Sequence, residues 1–256
     1  GNTIPNRLRE HLPPSDWRLV SVIAGLLLWE VIGRIVGRIF FAPLSLVVQT
    51  WADLILSGAL PQAVAGSLQH MFIGYFVGVG LAIPLGLLMG QSKIIRWIVN
   101  PYIDALYATP TIAYLPLIIV WFGLGFNARV FFVFIFCFFE VLINTYQGIS
   151  ELNESYFDVG TSFDLSWWQF QRNIFFPATL PYIFAGFRLG IGRAVRGMIS
   201  AEIFLAVVYL GELLTSQGAT LNTAQQLAII GTVALMGVIG QMVVKRIEQR
   251  AIPWAK

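Results

Sequence analysis

The chain has 256 residues, of which 57% are hydrophobic and only 11% are charged, and its mean hydropathy is +0.75. Soluble domains carry roughly a quarter charged residues, so this composition excludes a soluble globular enzyme and predicts an all-α polytopic membrane protein. The net charge of +3 does not indicate nucleic-acid binding, because the basic residues lie mostly between hydrophobic runs, where they orient a protein in the bilayer.

Six hydrophobic runs meet the length of a membrane span, which needs about 20 mostly apolar residues. They cover approximately residues 16–37, 68–90, 98–122, 130–146, 182–207 and 227–244. Pro101, Pro110 and Pro116 interrupt the third run, so we expect a kinked helix there. Residues 1–15 are predicted to form a cytoplasmic tail and residues 16–256 a single transmembrane domain.

The segment between the first two runs, residues 42–66, combines helical periodicity with polar interruptions. This pattern predicts an amphipathic helix at the outer membrane interface rather than a further span.

The distribution of Lys and Arg predicts how the chain is oriented. If the N-terminus is cytoplasmic, the outer side holds Arg129, with Arg34 and Arg38 near the outer end of the first span. The cytoplasmic side then holds Arg7, Arg9, Arg18, Lys93, Arg96, Arg172, Lys245, Arg246, Arg250 and Lys256. We therefore expect both termini, and the polar segment 147–181, on the cytoplasmic side.

Residues 147–181 form the longest charged and aromatic segment in the chain, far longer than a simple connection requires. The pattern predicts two short helices with a break over residues 162–166, and Pro177 and Pro181 are expected to close the second helix. Trp167 and Trp168 in that helix have two open interpretations. They either contact a soluble partner or anchor the segment in the lipid headgroups.

The sequence contains no pattern typical of catalysis. There is no phosphate-binding loop of the form GxxxxGK[ST], so we expect no ATP hydrolysis by this chain. His11 and His70 lie far apart without clustered Cys or carboxylates, which predicts no metal site. No third group orients Ser67 and His70 as a nucleophile and base, and we expect His70 at the outer interface.

Charges inside spans are costly and need partners. Glu30 and Arg34 are four residues apart and are predicted to pair on one helix face. Glu140 requires a partner from another helix, and we favour interhelical pairing for Arg188 as well. The arginines of the fifth span, Arg188, Arg193 and Arg196, could instead attract an anionic solute.

Small residues recur at four-residue spacing, which allows helix backbones to approach closely. The pairs are Gly74 with Gly78, Gly86 with Gly90, and Gly186 with Gly190. The frequency of glycine in membrane helices explains any single pair equally well, so both interpretations stay open.

Residues 147–181 resemble the cytoplasmic "EAA" loop of permease subunits of binding-protein-dependent ABC importers. That pattern is E-A-A, three residues, G, and then about nine residues before I-x-L-P. Here Asp158-Val159-Gly160 occupies the E-A-A positions, Asp164 the glycine position, and residues 174–177 the I-x-L-P end. Residues 110–125 and 180–190 also resemble the nitrate, sulfonate and taurine branch of the family, and the resemblance extends from about residue 42 onward.

The resemblance implies the six-span fold of a type I ABC importer permease in the bacterial inner membrane. It implies no cofactor in this chain, with Mg-ATP bound by partner ATPase subunits. The other implied partners are a second permease subunit, identical or homologous, and an extracytoplasmic solute-binding protein. The implied solute is small and often anionic, such as a sulfonate, nitrate, bicarbonate or a vitamin precursor.

The resemblance also implies roles for individual residues. The ATPase-coupling residues would be Asp158, Gly160, Phe163, Asp164, Leu165, Ser166, Trp167 and Trp168. The residues of the translocation pathway or gate would be Pro110, Tyr114, Pro116 and Glu202.

Two other classes of protein remain as alternatives. A stand-alone secondary transporter would show an internal repeat, and none is convincing here. An integral-membrane enzyme would cluster polar residues near one interface. Asp164 departs from the family glycine, so we expect the same loop with altered local geometry.

Overall fold

The computed structural model describes residues 14–150, 152, 155–219 and 222–254, so most of the predicted N-terminal tail lies outside the described residues. Helices dominate this part of the chain, and no strand occurs in it. The helices are α1 (Pro14–Val36), α2 (Leu44–Leu56), α3 (Ala59–Gln91), α4 (Lys93–Ala108), α5 (Leu115–Phe122), α6 (Phe126–Ser150), α7 (Ser155–Ser162), α8 (Trp167–Phe170), α9 (Phe176–Phe204), α10 (Tyr209–Ala219) and α11 (Thr223–Ala251).

Five helices in the described ranges are long and apolar enough to cross a membrane, and the bent pair α4–α5 would make a sixth span. The all-α polytopic fold is thus confirmed. We call the end of the bundle that carries α7 and α8 the loop end. Gln171 donates a hydrogen bond to Gln91 at this end, at 3.0 Å, so the start of the α8–α9 helix meets the end of α3.

The third predicted span is broken rather than kinked, since α4 and the helical stretch 111–122 meet at 96°. Thr109 adopts an extended backbone with ψ of 128°. The ring of Pro110 disfavours the α conformation for the residue before it, and α4 ends at Ala108. Pro116 lies in the first turn of α5, where a missing N–H costs nothing.

The core forms where α3, α6 and α9 pack together, and glycines permit that packing. A Cβ placed on Gly74 would lie 2.6 Å from the carbonyl oxygen of Val130 in α6. A Cβ on Gly190 of α9 would lie 2.7 Å from the Val141 side chain. The close-packing interpretation of the glycine spacing is therefore confirmed for these helices.

The prediction of one amphipathic segment over residues 42–66 is wrong in extent. The short helix α2 ends at Leu56, Gly58 turns the chain with φ of 79°, and α3 begins at Ala59. Trp51 of α2 donates a hydrogen bond to the Thr232 hydroxyl of α11 at 2.9 Å, so α2 packs along that helix. The longer prediction missed the turn because apolar residues continue through it.

The prediction that Pro177 and Pro181 close the second short helix is also wrong. The chain continues from α8 through a π-helical turn, Gln171–Phe175, directly into α9. Phe176 N–H donates to the Gln171 carbonyl, five residues back, and this wider turn changes the hydrogen-bonding register just before Pro177. Proline at this point therefore begins a helix instead of ending one.

Candidate functional site: a two-helix loop and a mid-span cavity

The break between α7 and α8 is a Schellman motif centred on Asp164. Asp164 has φ of 49°, in the left-handed region. Its N–H donates to the Thr161 carbonyl, and the Leu165 N–H donates to the Gly160 carbonyl, both at 3.1 Å. This is the hydrogen-bond pattern that ends many helices with glycine at the left-handed position. Asp164 thus holds the left-handed position that glycine most often occupies in this motif.

The second short helix begins with a capping box. The Ser166 hydroxyl accepts from the Gln169 N–H at 3.5 Å, and Ser166 N–H donates to the Gln169 side chain at 2.9 Å. Two backbone donors at the start of α8 are therefore satisfied locally. Residues 166–169 thus contain the whole capping box that begins α8.

Gly160 sets how closely the two short helices approach. It is buried, and a Cβ there would lie 2.6 Å from a ring carbon of Phe170. An alanine at position 160 would require this ring to shift. Gly160 thus permits the packing of Phe170 against α7.

Three of the predicted coupling residues are large aromatic side chains that the loop exposes. The exposed fractions are 73% for Phe163, 62% for Trp167 and 76% for Trp168. Asp158 is exposed as well, whereas Leu165 is half-buried. An open cavity of about 490 Å³ lies in the bend between the two short helices, lined by Gly160, Thr161, Asp164, Leu165, Trp167 and Phe170. The predicted coupling residues therefore lie together on one protruding segment.

A second cavity, of about 340 Å³, lies at the bend between α4 and α5. Its lining includes Pro110 and Tyr114 from the predicted pathway set, together with Thr111. Glu140 of α6 and Arg193 of α9 also line it, and they form an ion pair with 2.9 Å between Oε2 and a guanidinium nitrogen. The predicted interhelical partner of Glu140 is thus Arg193.

The other two predicted pathway residues lie elsewhere. Pro116 is not among the residues that line this cavity, and Glu202 is completely buried where α9 meets α10. One Glu202 carboxylate oxygen accepts the Gly211 N–H at 2.8 Å, and the other lies 3.4 Å from Nε2 of His70. A pathway role for Glu202 stays a prediction, and the structure does not bring its side chain to the cavity.

The His70 side chain is completely buried within the bundle, and its position at the level of the outer interface stays a prediction. Its ring stacks on Tyr209, at 6.3 Å between centroids. Tyr209 has φ of 52° and starts α10, a helix that the hydrophobic pattern did not predict. A histidine and a glutamate inside two apolar runs were the available signal for this buried pairing.

Two further ion pairs follow the sequence prediction. Arg34 and Glu30 on α1 approach to 2.6 Å, and Arg188 of α9 pairs with Glu248 of α11 at 3.2 Å. Within the described residues, no three His, Cys, Asp or Glu side chains gather closely enough to hold a metal ion.

A bundle of apolar helices with a two-helix loop at one end suits a membrane transport subunit. Residues 82–253 match the family of binding-protein-dependent transport system inner membrane components, and the chain belongs to this family of ABC importer permeases. The predicted family is thereby confirmed, and it is a family of transporter permeases rather than enzymes.

Curated relatives agree with this assignment. A Bacillus subtilis protein with the provisional name of aliphatic sulfonates transport permease is 29% identical, covering 89% of this chain and 83% of the relative. The taurine transport system permease of Escherichia coli is 29% identical, covering 78% and 72%. The nitrate import permease of Synechococcus elongatus is 30% identical, covering 71% and 68%.

Proposed function

We propose that this chain is the membrane subunit of an ATP-driven importer, forms half of a solute pathway, and couples that pathway to a cytoplasmic ATPase. The observation that carries the proposal is the loop, which presents Phe163, Trp167 and Trp168 on a bend fixed by Asp164 and Gly160. Large exposed aromatics on a preorganised segment suit a protein partner, because such residues dominate binding energies.

In this proposal the loop end faces the cytoplasm and so do both termini. Two permease subunits assemble around the pathway, two ATPase subunits bind Mg-ATP below them, and a solute-binding protein docks on the outer side. ATP-driven closure of the ATPases draws the loops together and switches the side from which the pathway is open. The transported solute is small and carries charge, in keeping with the sulfonates, taurine and nitrate in the names of relatives.

Lipid anchoring of the loop is the competing function for its tryptophans. Capture of a partner separates the two, since headgroup contacts hold no ATPase. The double variant Phe163→Ala/Trp168→Ala removes two exposed rings without touching the hydrogen bonds of Asp164 or the capping box. Phe40, 81% exposed between α1 and α2, supplies the control Phe40→Ala outside the loop.

The experiment is affinity purification of the tagged permease after co-expression with the ATPase subunit of its operon. Wild type and Phe40→Ala should retain the ATPase in equal ratio. The double variant should lose at least about tenfold in capture, because two interface aromatics together contribute more than about 1.4 kcal/mol. The proposal is contradicted if wild type retains no ATPase, or if the double variant retains as much as wild type.

A further inference from the structure

The Glu140–Arg193 pair differs from the other interhelical pair of α9 in its depth. Glu248 lies in the final turn of α11, so Arg188 and Glu248 are near a membrane surface, where long charged side chains reach water. Glu140 lies in the middle of α6, which runs from Phe126 to Ser150. Nearness to the membrane surface therefore explains the partial exposure of the Arg188–Glu248 pair. It does not explain the partial exposure of the Glu140–Arg193 pair.

The mid-span pair is nevertheless open to a cavity. The Arg193 side chain is 38% exposed and the Glu140 side chain 15% exposed, and both line the space at the α4–α5 bend. An ion pair that served only to join two helices would be enclosed by apolar packing, as charge exposed at this depth is costly. The opening of both charges toward one cavity indicates contact with a polar occupant.

The contacts of Glu140 leave acceptor capacity on its carboxylate. Tyr107 donates its hydroxyl to Oε2 of Glu140 at 3.3 Å, the same oxygen that contacts Arg193. Within the described residues, the side-chain contacts of this carboxylate thus gather on Oε2, and Oε1 can accept from a ligand. Arg193 has donors beyond the single nitrogen that contacts Glu140.

The charges of the pair select the kind of ligand. An anion alone would place its charge beside the Glu140 carboxylate or displace that carboxylate from Arg193, which leaves one charge of the pair without its partner. A molecule with an ammonium and an acidic group a few bonds apart satisfies Glu140 and Arg193 together. A cavity of about 340 Å³ lies at the small end of ligand-site volumes, which suits a compact zwitterion.

We infer that the cavity between the α4–α5 bend and the Glu140–Arg193 pair is a solute subsite for a small zwitterion, with its ammonium on Glu140 and its anionic group on Arg193. This rests on the proposed function, because it assigns a place on the transport pathway. The probe is taurine, an aminosulfonate, and its matched control is ethanesulfonate, which lacks the ammonium.

The readout is protection of a thiol placed in the cavity. The single cysteine, Cys137, is completely buried, and replacing it by alanine removes the remaining background. Thr111→Cys in that background puts a thiol on the cavity wall. The purified permease–ATPase complex is then treated with N-ethylmaleimide in the presence of taurine or ethanesulfonate. Taurine should protect at about tenfold lower concentration than ethanesulfonate, as expected for one added charge-assisted hydrogen bond.

Variants locate the preference. Glu140→Gln should remove the preference for taurine, Glu140→Asp should retain part of it, and Glu248→Gln, which breaks the other ion pair of α9, should leave it unchanged. Glu140→Gln could fail to fold because Arg193 is left unpaired. In that case the double variant Glu140→Gln/Arg193→Gln provides a neutral pair, and neither probe should protect its Thr111→Cys thiol.

The inference is overturned if both probes protect equally, if neither protects, or if Glu140→Gln keeps the taurine preference. Failure of the proposed function has a different signature, since the ATPase would then be absent from the purified complex. The protection comparison is still readable on the permease by itself in that case.

Discussion

Asp164 shows how one residue can take over a backbone conformation that usually requires glycine. Its φ of 49° and the two hydrogen bonds of the Schellman motif define the bend of the loop. Asp and Asn enter the left-handed region more readily than other residues with a Cβ, and β-branched residues are the least suited to it. The bend thus depends on the conformational tolerance of this residue.

Substitutions at Asp164 should therefore separate conformation from charge. Asp164→Gly and Asp164→Asn should both capture the co-expressed ATPase as wild type does, because glycine and asparagine both tolerate positive φ. Asp164→Val should reduce capture by about tenfold, since a left-handed conformation costs a β-branched residue about 1–2 kcal/mol. If Asn fails as badly as Val, the carboxylate itself is the requirement and the conformational explanation is wrong.

Glu202 is a second residue whose role is set by its surroundings. It satisfies the Gly211 N–H at the start of α10 and contacts His70 inside the bundle. Glu202→Gln keeps an acceptor for Gly211 and should keep most of the thermal stability. Glu202→Ala leaves a buried donor unpaired and should cost about 1–3 kcal/mol.

Thermal unfolding of the purified permease in detergent distinguishes these two variants. Equal melting temperatures for Glu202→Gln and Glu202→Ala would contradict the structural role. A variant that transports poorly at unchanged stability would instead support the predicted position of Glu202 on the pathway.

The sequence predicted that some residues need a partner but did not predict which residue that partner is, for a physical reason. The need of Glu140 for a partner on another helix could be read from its position in an apolar run. Its identity as Arg193 could not, because the hydrophobic pattern does not give the rotation of one helix against another. The contact of His70 with Glu202 could not be predicted for the same reason, since nothing local shows that α3 turns His70 toward Glu202.

At the scale of elements, the bundle depends on how closely α3 approaches α6. Gly74 sits against the Val130 carbonyl, and backbone on the facing helix cannot move aside as a flexible side chain can. Gly80 lies on the same helix in open space, with no atom within 4 Å of the Cβ position. Both glycines lie in α3, and only Gly74 of the two lies against the backbone of α6.

Gly74→Ala should destabilise the permease by about 1–3 kcal/mol, the cost of overpacking a close contact. Gly80→Ala should leave its stability equal or slightly higher, as alanine favours the helix. Melting temperatures of both variants in the same detergent provide the measurement. A lower value for Gly80→Ala than for Gly74→Ala would contradict the close packing of α3 on α6.

Helices were predictable where hydrophobic composition alone decides them. The prediction failed where a proline can either end or begin a helix. The apolar runs located the long helices of the described residues. Pro110 breaks a span, whereas Pro177 begins one after a π turn. Whether proline ends or starts a helix depends on the hydrogen bonds of the preceding turn, which a proline in a sequence does not reveal.

At the scale of the whole molecule, the basic residues at the loop end predict that this end is cytoplasmic. Ser162 in the loop and Ser57 at the opposite end of the bundle are both exposed, and Cys137 is buried. With Cys137 replaced by alanine, a membrane-impermeant maleimide should label Ser57→Cys in intact cells. Ser162→Cys should react only after permeabilisation, and the reverse pattern would refute the orientation.

The proposed coupling requires that the loop and the cavity communicate across the whole molecule. The most direct measurement is the rate at which N-ethylmaleimide modifies Thr111→Cys, in the Cys137→Ala background, within the reconstituted permease–ATPase complex. The rate should differ between the nucleotide-free complex and the complex held with Mg²⁺ and a non-hydrolysable ATP analogue. Phe163→Ala/Trp168→Ala, with the ATPase in excess, should show no such difference. Identical rates in wild type with and without nucleotide, while the ATPase is bound, would contradict coupling through this loop.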